Sequence, residues 1–182
     1  DPRYKAYSQE YYMLARRKGI NRPQALEEMR TRPTLIGAML LRRGDVDGML
    51  CGTFGNYSDH LRYVRTIIGM RDGVHTLAAM QMIMLPGRQL FICDTHANRD
   101  PSAEEVAEMT MLAVEQVQRF GMEPSVALLS HSSFGSSDAL SAVKMREALE
   151  IILRRMPGLA VEGEMQADAA LSTAIRDREF PD

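Results

Sequence analysis

The chain has 182 residues, 45% of them apolar and 25% charged, with 22 Lys and Arg against 24 Asp and Glu for a formal net charge of -2. A length of this order predicts one domain or slightly more, able to bury roughly 70% of its unfolded surface with no disulfide or metal staple. The near-neutral balance offers no electrostatic basis for a nucleic-acid or anionic-membrane partner.

Cys51 and Cys93 each end an apolar, strand-like run. They read as small buried thiols in a reducing compartment, not as a disulfide pair. No signal peptide and no apolar run near 18 residues is present, so a cytoplasmic protein is expected. The chain starts abruptly inside a helical pattern and stops at Phe180-Pro181-Asp182 without a finishing element. It is expected to be a piece of something longer.

Tyr4, Tyr7, Tyr11 and Leu14 recur at helical spacing, followed by Arg16, Arg17 and Lys18 where they complement a helix C-terminus, and Gly19 as the stop. Asn21 and Pro23 open a second helix through Met29, and Pro33 closes it before a third over 35–42 that ends at Gly44. Residues 46–51 read as a short strand. A glycine loop, Gly52-Thr-Phe-Gly55, then leads into a helix over 59–68 capped by Ser58 or Asp59. Arg62 falls in the first turn of that helix. A cation there opposes the helix dipole, which invites a bound anion as its reason, although solvation of an exposed arginine is the simpler account.

The apolar runs 75–85 and 89–95 flank Pro86-Gly87-Arg88 and predict an antiparallel hairpin. Asp94, His96 and Asp100 follow at a spacing that matches no metal-ligand signature, so no metal is assigned. Ser102-Ala-Glu-Glu105 is a capping box, launching a helix with Val106, Met109, Ala113, Val117 and Phe120 as its buried stripe and Gly121 as its end.

The stretch from Ser125 to Asp138 reads as a strand apolar on both faces, a loop of small hydroxyl residues, and the start of a long helix. Such a loop opens at a strand's carboxyl end, where ligands of α/β proteins bind. Two readings stand. The serines and the following helix form an anion cradle, or Ser137 or Asp138 caps the helix while the other serines fill a turn. The helix places Met145, Ala148, Leu149, Ile152 and Met156 inward, with Lys144, Arg146, Glu147, Glu150 and Arg154 outward. A last strand then turns directly into a helix, and here Glu162, Glu164 and Asp168 read either as acid/base groups or as surface acids near a turn. His131 is unsuited to activating Ser130 or Ser132, because neighbouring extended residues point to opposite faces.

Strands alternating with helices define an α/β class with a mainly parallel sheet, helices on both faces and one antiparallel hairpin. There is no G-x-S-x-G elbow, P-loop or dinucleotide fingerprint. Physics alone reaches an α/β domain whose loops offer a place for a phosphate-bearing ligand, with the capping alternative open.

The ordered motifs Gly44-Asp-Val-Asp-Gly-Met-Leu-Cys-Gly52, Asp59-His-Leu-Arg62, Asn98-Arg-Asp-Pro101-Ser-Ala-Glu-Glu105, Leu128-Leu-Ser-His-Ser-Ser-Phe-Gly135-Ser and Val161-Glu-Gly-Glu164-Met-Gln-Ala-Asp168-Ala-Ala span nearly the whole chain. Together they resemble the phosphate acetyl/butyryl transferase family, most of all the transferase-like C-terminal domain of bacterial NADP-dependent malic enzymes. The resemblance implies a phosphotransacetylase-like fold of the isocitrate/isopropylmalate dehydrogenase kind. It divides the chain into the end of a first subdomain, 1–58, and a second subdomain, 59–182, with the family's C-terminal segment and its catalytic serine-arginine motif lying beyond Asp182. By that resemblance Arg62 faces a phosphate or acetyl-phosphate position, and Ser130, Ser132, Gly135 and Ser136 match the family's S-x-S-x-x-G-S loop. Thr53, Thr95, Asn98 and Asp168 complete the implied phosphate or acyl-CoA set. Tyr63 departs from the family's proline after the arginine, and Thr95 from a cysteine near some active sites. Arg16 and Arg17 lie near another family arginine but out of register, so its role is not carried over.

Three functions follow as expectations. One is an acetyl-CoA-sensing, self-associating domain of a malic enzyme, whose parent uses NADP and a divalent metal. The others are a working phosphate acetyltransferase and a purely structural assembly domain. None requires a cofactor within these residues.

Overall fold

The computed structural model describes residues 2–94 and 97–180. They fall into two compact units, Asp1–Asp72 and Gly73–Asp182.

The first unit is helical. Helix α1 (Tyr4–Ala15) buries Tyr7, Tyr11 and Ala15 and runs into a 3-10 turn, Arg16–Lys18, that Gly19 ends in the left-handed conformation at φ 91°. Helix α2 (Arg22–Thr31) begins at a reciprocal capping box. Asn21 Oδ1 accepts from the Gln24 N–H at 2.9 Å, and Gln24 Oε1 accepts from the Asn21 N–H at 3.0 Å. Helix α3 (Pro33–Arg42) starts on Pro33 itself, whose missing N–H is no loss in a first turn. Leu35, Ala38 and Met39 pack with Ala25, Met29 and Ile67 in the core.

Four expectations fail here. Residues 46–51 form no strand, and Leu50 is fully exposed; a short run interrupted by Asp47 and Gly48 enters no strand pair among the described residues. Cys51 is therefore exposed and not a buried thiol. Helix α4 (Tyr57–Tyr63) starts two residues before the expected position, with Asn56 at the N-cap, and continues as a π-helical turn, Val64–Ile68. Ser58 and Asp59 lie inside the first turn and do not cap it.

The second unit is α/β. Strands β1 (Met80–Leu85) and β2 (Arg88–Cys93) pair antiparallel from Met80 opposite Cys93 to Leu85 opposite Arg88, across Pro86-Gly87. β1 starts at Met80, not at 75, because the preceding backbone is satisfied by side chains. Glu108 Oε1 accepts from the His75 N–H, Asp94 Oδ1 from the Ala79 N–H, and the Leu77 carbonyl accepts from Asn98 Nδ2.

Helix α5 (Ala103–Arg119) carries the expected capping box. Ser102 Oγ accepts from the Glu105 N–H at 3.2 Å, and Glu105 Oε2 from the Ser102 N–H at 2.8 Å. Ser102→Ala is expected to lower stability by about 1 kcal/mol, read as a denaturation midpoint shift at constant slope. Val106 and Met109 are buried, but Phe120 lies past the helix and is 59% exposed, its ring beside Phe91 at 5.8 Å.

Strands β3 (Ser125–Leu129) and β4 (Ala160–Met165) pair in parallel, with a register shift between Leu128 and Leu129. Helix α6 (Leu140–Arg155) packs on α5 and on both strands, and α7 (Ala167–Leu171) reaches β3. Helix α8 (Thr173–Glu179) follows. β3 is not buried on both faces. Val126 and Leu128 turn to the core while Ala127 and Leu129 are exposed. Among the described residues β3 pairs with β4 alone, so much of its flank stays open. The class is the expected one: α/β, with a parallel pair, an antiparallel hairpin and helices on both sides. No described helix is long and apolar enough to cross a membrane.

Candidate functional site

The serine loop follows β3 and is fastened to the end of β4. The Met165 carbonyl accepts from the Ser130 N–H at 2.9 Å, and the Glu164 carbonyl from the Phe134 N–H at 2.8 Å. Ser133 Oγ accepts from the Gln166 N–H at 3.2 Å, and the His131 carbonyl from Gln166 Nε2 at 3.2 Å.

At the centre stands Glu164, fully buried. Its Oε1 accepts from Ser132 Oγ at 2.7 Å, the Gly135 N–H at 3.1 Å and Arg146 Nη1 at 2.9 Å. Desolvation would raise this carboxyl, but the hydrogen bonds from Ser132, the Gly135 and Glu164 N–H groups and Arg146 together outweigh it and hold it below the usual carboxylate value. Glu164 is thus an ionised anion belonging to the protein, seated among donors that the loop's pattern suggested for a ligand. Its Oε2 is buried with no partner among the described residues, and an acceptor so placed costs roughly 1–3 kcal/mol.

The loop's second expected role is also revised. The N-cap of α6 is Ala139, which makes no side-chain bond; Ser137 Oγ accepts from the Ala139 N–H at 3.2 Å, and Asp138 does not cap. Arg146, expected outward, instead reaches the Ser137 carbonyl at 3.1 Å as well as Glu164. Neither Glu164 nor Arg146 stood among the expected ligand residues. The available signal was Gly163: a glycine inside a strand run marks a close approach that can turn the next side chain inward.

Asn98 is committed to structure. Its Nδ2 lies 2.8 Å from the Leu77 carbonyl, 2.9 Å from Asp94 Oδ2 and 3.0 Å from Met109 Sδ, and its N–H donates to the same Asp94 oxygen. Thr95 and His96 lie outside the described residues. Asp168 is exposed in the first turn of α7, where an acid suits the helix dipole. Cys93 is exposed as a residue, yet its Sγ faces the Met109 carbonyl at 3.8 Å, and desolvation, with Asp94 nearby, pushes the thiol up to about 11. It is no ready thiolate. Lys144 pairs with Asp100 at 2.6 Å and depresses that carboxyl.

In the first unit, Arg62 lies beyond the first turn of α4, which runs on into the π-helical turn to Ile68, so the helix dipole supplies no argument for an anion there. Its guanidinium lies over the Tyr63 ring at 4.8 Å, and Nη2 donates to the Tyr63 hydroxyl at 3.1 Å. That hydroxyl and the one on Tyr11 both donate to Glu28 Oε2, at 3.2 and 2.5 Å. Burial first, then Glu28, raise both phenols, which stay protonated donors at neutral pH. Thr53 is exposed in the loop before α4. That loop is tied down by His60, whose Nε2 donates to the Phe54 carbonyl at 2.7 Å while Nδ1 lies 2.6 Å from Thr34 Oγ1. Among the described residues no three His, Cys, Asp or Glu side chains are grouped to hold a metal.

The chain is 50% identical over all 182 residues to an NADP-dependent malic enzyme of Escherichia coli, covering 24% of that protein. It is 32% identical over 180 residues, 99% of the chain, to a phosphate acetyltransferase of Synechocystis, covering 26% of it. The chain therefore spans about a quarter of the length of these curated relatives. A phosphotransacetylase from Streptococcus pyogenes superposes on the whole chain with a TM-score of 0.79 at 29% identity, over 54% of its own length. The profile of the phosphate acetyl/butaryl transferase family matches residues 1–182. With motif order, fold and full-length identity in agreement, the chain belongs to that family.

Proposed function

We propose that this chain is a phosphate acetyltransferase-like domain of a malic enzyme that binds acetyl-CoA as an effector and self-associates, without transferring acetyl groups by itself. The observation that carries the reading is the 50% identity over the entire chain to a quarter of an NADP-dependent malic enzyme. The parent would oxidatively decarboxylate malate to pyruvate with NADP and a divalent metal held outside these residues. In support, the loop's buried serine, Ser132, donates to a carboxylate that is ionised and held by Arg146, an arrangement that fixes the hydroxyl and does not prepare it for attack. Self-association is supported by the hairpin, where Met82, Ile83, Met84, Leu85 and Ile92 are exposed along a pair of edge strands.

A working phosphate acetyltransferase is the second reading, favoured by the 32% identity to the Synechocystis enzyme. Titrating the full-length protein with acetyl-CoA while following malate oxidation and acetyl-phosphate formation separates the two. Changed malate oxidation with no acetyl phosphate supports the first, and acetyl phosphate formed at enzymatic rates overturns it. In that assay Arg62→Ala is expected to raise the half-saturating acetyl-CoA concentration roughly 10- to 100-fold, the worth of one charge-assisted hydrogen bond. An unchanged response removes Arg62 from the site.

A further inference from the structure

We propose that helix α8 is a latch on the serine loop: docking of Phe180 against Phe134 holds the loop in a strained form, and undocking lets Phe134 relax and withdraws the Gly135 N–H from Glu164. The proposal stands on contacts within the second unit and does not depend on a ligand.

Phe134 has φ 48°, and it is the one residue other than glycine with a positive φ among the described residues. For a large aromatic side chain this is an outlier, because Cβ crowds the following carbonyl oxygen. Such a conformation persists only where its surroundings fix it. Two contacts do so here. The Glu164 carbonyl accepts from the Phe134 N–H at 2.8 Å, and the Phe134 ring meets the Phe180 ring edge-on, with centroids 4.8 Å apart and planes at 76°. Phe134 is 41% exposed, so no core holds its ring otherwise. The ring pair and the left-handed strain are of comparable size and opposite sign, which makes the pair able to tip the balance.

The helix itself is lightly held. None of its residues is fully buried, whereas α7 before it buries Ala169. Ser172 Oγ accepts from the Ile175 N–H at 3.4 Å, and the Ala169 carbonyl accepts from Arg176 Nη1 at 3.5 Å. Both bonds stay within 169–176, and Phe180 ties the far end to the loop. A segment with so few buried apolar contacts opens more readily than the core. A change of φ at Phe134 then swings the chain beyond its Cα, beginning with the Gly135 N–H that donates to Glu164 Oε1 at 3.1 Å. Ser132 precedes that rotation and Arg146 lies on α6, so both keep Glu164 while the third donor leaves.

Hydrogen exchange of the full chain, read amide by amide by NMR, tests the latch in both directions. Phe180→Ala is expected to speed exchange at Gly135 about 2- to 10-fold, the worth of one edge-to-face ring pair. Ser130, whose N–H donates to the Met165 carbonyl, should stay within about 2-fold of wild type. Phe180→Tyr keeps the ring and should restore the wild-type rate at Gly135. In the reverse direction, Phe134→Gly takes φ 48° without strain and removes only the ring, so it should speed exchange at the Phe180 N–H by a similar factor. Unchanged exchange at Gly135 in Phe180→Ala, or at Phe180 in Phe134→Gly, overturns the proposal. Equal acceleration at Ser130 and Gly135 also overturns it, since that marks general loosening of the unit and not release of one peptide.

Discussion

Glu164→Ala is expected to destabilise the chain by about 3 kcal/mol, since it removes the buried member of a hydrogen-bonded ion pair whose other member, Arg146, keeps partial access to solvent. Three donors lose their acceptor at once: Ser132 Oγ, the Gly135 N–H and the Arg146 guanidinium. Glu164→Gln keeps the volume and one acceptor oxygen, and should be milder, about 2 kcal/mol. The two variants separate the charge from the cavity. Because the folded carboxyl lies below its unfolded value of about 4.3, its contribution is complete above that pH and is lost as pH falls through the lower folded value. The Gln variant should therefore approach the wild type in stability on acidification, and the two should differ by a constant amount between pH 5 and 8. Asp100 and Glu108 are depressed as well, Asp100 by its hydrogen bond to Lys144, and Glu108 by hydrogen bonds at Thr76 and His75 that outweigh its desolvation. Both remain in each variant and so drop out of the comparison. A difference that grows on acidification would show that Glu164 is protonated in the folded chain.

Local rules made much of this fold legible. The helix start at Asn21, the capping box at Ser102, the left-handed stop at Gly19 and the Pro86-Gly87 turn are encoded within four or five residues, and each is where the pattern places it. What failed depends on partners distant in sequence. Residues 46–51 have strand-like composition but enter no strand pair among the described residues, and β3 pairs with β4 alone among them. Arg62 was placed by counting from a cap that lies two residues earlier than the composition suggests. For the serine loop, its position after a strand was legible, but the anion it encloses was not, because Glu164 is 32 residues from Ser132 and looked like one acid among several near a turn.

The two candidate regions share a physical theme. In each, groups suited to meeting an anion already face an internal carboxylate: the serine loop meets Glu164 directly, and Arg62 meets Glu28 through the Tyr63 hydroxyl. A second anion at either place would compete with the carboxylate already there.

Gly163→Ala is expected to destabilise the chain by about 2–6 kcal/mol through two independent effects. The backbone at Gly163 has φ 141°, a region that only glycine occupies without strain, and a side chain there costs about 1–3 kcal/mol. A Cβ would also lie 2.6 Å from the Leu128 carbonyl oxygen and 3.1 Å from the Leu128 nitrogen, backbone atoms of the paired strand that cannot swing aside. Relief requires β3 and β4 to separate where the register shifts, adding about 1–3 kcal/mol of overpacking strain. That separation would also draw Glu164, the next residue, away from Ser132 and Gly135. The expected signature is thus a joint one: a lowered unfolding midpoint together with faster amide exchange at Phe134 and Gly135, whose N–H groups bond Glu164. A midpoint within about 1 kcal/mol of wild type would mean that the strand pair gives way without strain, and unchanged exchange at those two amides would mean that the loop is held independently of β4.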